Sequence, residues 1–157
     1  MRLEIDLVKL IVSGSRDFTN SKVFMDAMID VIAEIQYKNE VHMKDLEIIH
    51  GGAKGIDSMA DMFARGYKIK LKVFPADWNT FGKSAGMKRN FEMLHYAISY
   101  ERHFLLAFNL NDSRGTSGMI DACKKKNVPS YIFNTKDGEN LKLECFELES
   151  KWKEKYK

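Results

Sequence analysis

Residues 7–17 read LVKLIVSGSRD, and this stretch decides the fold class. Aliphatic and β-branched side chains fill Leu7 to Ser13, the run halts at Gly14, and polar residues follow. That is the pattern of a buried strand delivering the chain into a tight turn. A helix is expected to start near Thr19 to Ser21, where small polar residues can cap exposed N–H groups. Phe24, Met28, Val31 and Ile35 then recur at helical spacing.

The same unit repeats outward from this start. Leu46 to His50 reads as a second strand that stops at Gly51-Gly52, followed by a helix bearing Ile56, Met59, Ala60, Phe63 and Ala64. Ile69 to Phe74 reads as a third strand, running into Pro75 and a loop with Trp78 and Phe81. Ser84 is expected to cap the next helix, with Met87, Phe91, Leu94 and Ile98 as its core face. His103 to Phe108 is the fourth strand. A loop through Ser113, Arg114, Gly115 and Thr116 opens a helix with Met119, Ile120 and Cys123, and Val128 to Phe133 is the fifth strand. Alternating short apolar strands and helices imply parallel strands joined by right-handed helical crossovers. The expectation is an α/β, Rossmann-like three-layer sandwich: a mostly parallel five-stranded sheet with helices on both faces.

The chain is expected to form one domain over 1–157, with a core at 8–133 and a small C-terminal addition at 134–157. Lys136-Asp137-Gly138 looks like a turn, and Leu141 to Phe146 reads either as an edge strand or as the start of a helix. A length of 157 residues suits one self-sufficient core. A net charge of +3 is a weak basic footprint for nucleic-acid binding. The mixed-charge start MRLEID lacks the apolar stretch of a signal peptide, so Cys123 and Cys145 read as free thiols of a cytoplasmic protein. No apolar run is long enough to cross a bilayer. His42, His95 and His103 have no partner spacing that suggests a metal, and His50 reads as a structurally satisfied histidine.

In an open parallel sheet, ligands collect beyond the carboxyl ends of the strands. Three glycine-bearing turns fall on that edge: Gly14-Ser15-Arg16, Gly51-Gly52-Ala53-Lys54, and Ser113-Arg114-Gly115-Thr116-Ser117. Glycine permits close backbone approach, and helix N-termini present unpaired N–H groups with a positive dipole end. Phosphate fits that environment, with Arg16, Arg114 and Lys54 adding charge. On the helix after Ser84, Gly86, Arg89, Asn90 and Met93 share an arc of about 100° beside the core stripe. A small residue, a cation and an amide on one strip suit a phosphate or ribose. Asp57 either relieves its helix dipole or accepts ribose hydroxyls. Trp78 and Phe81 either stack on a base or cover the sheet edge.

The runs VSGSRDF, HGGAKGIDSMAD, FPADWNTFGKSAGMKRNFEML and SRGTSGMIDACKK, taken in order, resemble the YspA-like branch of the SLOG superfamily. That superfamily includes DNA-processing protein A and the LONELY GUY phosphoribohydrolases. The resemblance implies a Rossmann-like fold and a nucleotide-derived ligand at these loops, with ADP-ribose-like molecules and cyclic nucleotides as candidates. It also implies a homo-oligomer. No further cofactor is expected. The phosphoribohydrolases carry PGGxGTxxE, and here Gly115-Thr116 matches its GT while Met119 stands where the glutamate would be. A thioether cannot transfer a proton, so the catalytic half of the motif is incomplete, whereas Arg89 matches the arginine of that family's M-x-x-R-K stretch, with Asn90 for its lysine, and the binding half is kept. A sensor or sequestering protein follows. The alternatives are a nucleotide hydrolase using Asp57, Asp77 or Asp121, and a single-stranded-DNA-binding protein.

Overall fold

The computed structural model describes residues 7–157. The N-terminal start MRLEID, read above for targeting, lies outside the described residues.

The chain runs β1 (Val8–Gly14), α1 (Ser21–Asn39), β2 (Leu46–His50), α2 (Ile56–Gly66), β3 (Lys70–Val73), a single-turn α3 (Trp78–Phe81), α4 (Ala85–Ile98), β4 (Arg102–Leu110), α5 (Arg114–Lys125), β5 (Ser130–Thr135) and β6 (Lys142–Phe146). They build one six-stranded sheet in the order β3-β2-β1-β4-β5-β6. The five expected strands are parallel, and β6 pairs with β5 antiparallel. Of the two readings of the tail, the edge strand is therefore the one adopted. It follows a turn in which Gly138 N–H donates to Thr135 Oγ1 at 2.9 Å, while Asp137 Oδ1 accepts from the Glu139 and Asn140 amides.

Strand alternation divides the interior in two. Val8, Leu10 and Val12 face a core with α1 and α2, including Phe24, Met28, Val31, Ile35, Ile56, Ala60 and Phe63. Ile11 faces the other way, into a core with Met93 and Leu94 of α4 and Met119, Ile120 and Cys123 of α5. Helices thus cover both faces, as side chains pointing alternately up and down a fully buried strand require. Among the described residues no helix is long and apolar enough to cross a membrane.

Asn20 caps α1, its side-chain oxygen accepting from Val23 N–H at 3.2 Å. The cap of α4 differs from the expected one, and its core face keeps only part of the expected stripe. Ser84 makes no cap bond; its hydroxyl donates to the Phe81 carbonyl at 2.9 Å, because a 3-10 turn at Gly82–Ser84 already leads into the helix. The buried side of α4 is Ala85, Met93, Leu94 and Ala97, while Met87 and Phe91 are 65% and 56% exposed. Leu94 of the expected stripe therefore stays in the core with Ile98 packed against it, and only the first half of the stripe, Met87 and Phe91, faces outward.

The tail folds back over α1. Glu34, 2% exposed, accepts through Oε1 from Ser150 Oγ (3.1 Å) and Lys151 N–H (2.9 Å). Trp152 Nε1 donates to the Asp30 carbonyl at 3.0 Å, and Leu143 N–H of β6 donates to the Tyr156 carbonyl at 2.9 Å.

Candidate ligand cleft

Strand order reverses between β1 and β4, which pair along their length up to Gly14 opposite Phe108. Crossovers from these neighbours leave on opposite faces, so a crevice opens above their carboxyl ends. A cleft of about 1050 Å³ fills it, walled by the β1 turn, the Gly51 loop, the first turns of α2 and α5, and the α4 strip.

The Gly51 loop is held from within. Gly51 and Ala53 N–H both donate to Asp57 Oδ2, at 3.2 and 3.1 Å. Gly52 N–H donates to His50 Nδ1 at 2.9 Å, which leaves the proton on Nε2 to be donated to Asp61 Oδ2 at 2.8 Å. The amides expected to meet phosphate are therefore taken by Asp57 and His50. Asp57 is 6% exposed. Burial pushes its carboxyl above the usual range, against the pull of the loop amides, His50 and Arg89. The β1 turn is stitched likewise: Ser15 Oγ accepts from Leu110 N–H at 2.9 Å and faces the Leu110 carbonyl at 3.4 Å. Gly55, at φ +73°, abuts the carbonyls of Ser15 and Arg16, so the β1 turn and the start of α2 touch backbone to backbone.

Arg89 reaches from α4 to donate to the Gly51 carbonyl, and its Nε donates to Asn90 Oδ1 at 3.1 Å. A Cβ on Gly51 would overlap the guanidinium, so glycine here is what makes the seat. Burial lowers the Arg89 value from the ordinary guanidinium range; Asp57 opposes this and Arg16 adds to it. Arg16 itself lies 5.6 Å from the Trp78 ring centroid. Asn90 Nδ2 donates to the Gly115 carbonyl at 3.4 Å, tying α4 to α5.

At α5 the geometry is the reverse of the Gly51 loop. Among the described residues no side chain caps its first turn. Ser113 N–H donates to Asn109 Oδ1 and its hydroxyl to Thr116 Oγ1, both at 2.9 Å. The first-turn amides of a helix have no intrahelical partner, and a Cβ on Gly115 or Gly118 would meet open space. This is the helix start left available to an anion.

The cleft wall contains Gly14, Ser15, Arg16, Gly51, Asp57, Trp78, Gly86, Arg89, Asn90, Ser113, Arg114, Gly115 and Thr116 of the expected set. Gly52 and Lys54 are exposed outside it, and Ser117 Oγ instead accepts from Asn109 Nδ2 at 3.1 Å. Phe81 also stands outside, 42% exposed beneath Lys88. Asp77 caps the single turn of α3 through a bond from Thr80 N–H. Sequence reasoning missed Lys83, Met87, Phe91 and Lys125 in the wall. Gly118, Asp121 and Lys125 fall at i, i+3 and i+7, a spacing that marks one face of α5. Met119, where the phosphoribohydrolase glutamate would stand, is fully buried in the core. Five Arg and Lys side chains face three Asp in the wall, so it favours an anion. Among the described residues no His, Cys, Asp and Glu cluster is placed to hold a metal ion.

A family model described as the YspA, cpYpsA-related SLOG family matches residues 8–81. The chain is 30% identical over 133 residues to the Gene 61 protein of Mycobacterium phage D29, covering 82% of this chain and 98% of that protein. Among solved structures, DNA processing protein A (DprA) from Streptococcus pneumoniae aligns with a TM-score of 0.63 at 15% identity, over 87% of this chain and 54% of that one. The chain thus spans about half the length of that protein, and the likeness concerns the fold.

Proposed function

Because this chain belongs to the YspA, cpYpsA-related SLOG family, we propose that it binds a nucleotide or nucleotide-derived phosphate in the cleft above β1 and β4. The observation that carries this is convergence: Arg16, Arg89 and the uncapped start of α5 all border one cleft. The phosphate sits at the α5 amides, with Arg114 and Arg16 beside it, since the Gly51 loop has its own amides engaged. Arginine can hold a second phosphate or a ribose edge bidentately, and Arg89 is the half-buried candidate. Trp78, 49% exposed, offers a face for the base. Asp57 acts through the loop that it holds. ADP-ribose-like molecules and cyclic nucleotides are the first candidates, and the protein senses or sequesters them. Sequestration suits a relative of a phage protein.

The test is mass spectrometry of small molecules retained by the purified protein after incubation with AMP, ADP-ribose, cyclic ADP-ribose isomers, NAD and cyclic dinucleotides. The reading expects an intact nucleotide, lost in Arg89→Ala. Release of free base would replace it with a nucleotide hydrolase. The absence of both retention and product would overturn it, and binding to single-stranded DNA that weakens steeply with salt would then identify the competing reading.

A further inference from the structure

The peptide group between Gly51 and Gly52 is held at both of its edges. Its N–H belongs to Gly52 and donates to His50 Nδ1 at 2.9 Å. Its C=O belongs to Gly51 and accepts from the Arg89 guanidinium. A peptide group is planar and turns as one rigid plate, so these two polar ends cannot move separately. Glycine on both sides lets this plate turn more freely than any other pair of residues would, and Gly52 already sits at φ +72°.

The His50 ring is buried, and its other nitrogen is engaged as well. Nε2 donates to Asp61 Oδ2 at 2.8 Å, and Asp61 Oδ1 accepts from Arg65 Nε at 2.6 Å. Nδ1 accepts a hydrogen bond only while the imidazole is neutral. A second proton sets Nδ1–H against the Gly52 N–H, donor against donor. Two carboxylates of α2, Asp57 and Asp61, stabilise that added charge, and Asp61 touches the ring directly. Arg65 beyond Asp61, and Arg89 of α4 across the loop with Arg16 behind it, oppose the charge. Val73, opposite on β3, carries none. Gly52 is exposed, so water takes over its N–H once the plate turns. We propose that His50 is a positioning residue for Arg89: a proton on Nδ1 turns the Gly51–Gly52 peptide, withdraws the Gly51 carbonyl and unseats the guanidinium from the cleft wall. Acid then weakens the hold on an anionic ligand. That last step rests on the nucleotide reading of the cleft, whereas the turn of the peptide does not.

Nuclear magnetic resonance of the ligand-free full chain tests the turn, from about pH 8 to about pH 5, where an ordinary imidazole gains its charge. The Gly52 amide and Arg89 Nε–H signals are expected to shift with the same midpoint as the His50 ring. His50→Asn keeps an acceptor oxygen where Nδ1 stands and cannot gain the proton, so it is expected to abolish that shared shift. Asp61→Asn removes a charge that favours the imidazolium and is expected to move the shared midpoint to lower pH. In calorimetry with ADP-ribose as the probe, the wild type is expected to bind about tenfold more weakly at the acid end, the loss of one charged hydrogen bond. A Gly52 or Arg89 signal that ignores the His50 midpoint overturns the proposal, as does a shift of the same size in His50→Asn. Equal affinity for ADP-ribose at both ends overturns it too. ADP-ribose that binds at no pH would count against the nucleotide reading instead, and the resonances would still decide whether His50 turns the peptide.

Discussion

Arg89 occupies the volume that a side chain on Gly51 would need, and it uses that position to donate to the Gly51 carbonyl. Substitution at one residue is therefore a way to move the other. Gly51→Ala is expected to fold, since the methyl meets the flexible end of an arginine and Gly51 lacks a positive φ. It should displace the guanidinium and weaken nucleotide binding as much as Arg89→Ala does. Losing a charged hydrogen bond costs about 1.5–3 kcal/mol. Titration calorimetry should find the double variant no weaker than either single one, as residues acting as one unit require.

Gly55 gives the opposite result. Its φ of +73° and its contact with the Ser15 and Arg16 carbonyls leave no flexible group to yield. Gly55→Ala is expected to destabilise the fold by about 1–3 kcal/mol from backbone strain, with steric overlap added. A thermal melt equal to the wild type would refute this.

Asp57 links stability to pH. Its native value is raised by burial, so the folded state holds the proton more tightly than the unfolded chain does. Stability then falls as pH climbs from the ordinary aspartate value through the raised native one, and levels off above it. Asp57→Asn cannot ionise. The stability of the wild type minus that of this variant should decrease across that window, measured by melts from acidic to neutral pH; a constant difference would show that Asp57 does not titrate there.

The two thiols should differ in reach. Burial pushes Cys123 up to about 12 and also raises the half-buried Cys145. Thiolate is the reactive form. Alkylation at mildly alkaline pH, followed by peptide mass spectrometry, should label Cys145 slowly and spare Cys123 until the protein unfolds.

Glu34 fastens the tail. Glu34→Ala removes the acceptor for Ser150 and Lys151 and is expected to cost about 1–3 kcal/mol. Limited trypsin digestion should then cut at Lys151 and beyond, whereas Glu34→Gln, which keeps an acceptor oxygen, should resist.

The fold was legible because strands and helices advertise themselves by spacing. Leu46–His50 matches its expected limits, and the α1 stripe of Phe24, Met28, Val31 and Ile35 is fully in the core. The α4 stripe was half legible: Leu94 is in the core and Ile98 packs against it, whereas Met87 and Phe91 face outward. Periodicity reports that a helix has an apolar face, but which part of that face meets the sheet depends on how the helix is tilted and rotated in packing, which spacing alone does not encode. The cleft's location was readable from glycines at strand ends. The division of labour between its loops was not. Whether the amides near Gly51 are free depends on where the Asp57 carboxylate and the His50 ring point, and one-dimensional spacing does not encode that.

The hydrogen bond from Leu143 to Tyr156 bears on how this protein behaves at high concentration. An open sheet has two outer strands, each a template on which another molecule's backbone can polymerise. At one boundary β3 is only four residues long and carries Lys70 and Lys72, charges that discourage such growth. At the other, β6 has its outer side met by the returning tail. Residues 150–157 therefore shield part of that outer strand, and their removal is expected to expose it as a template for fibrous assembly.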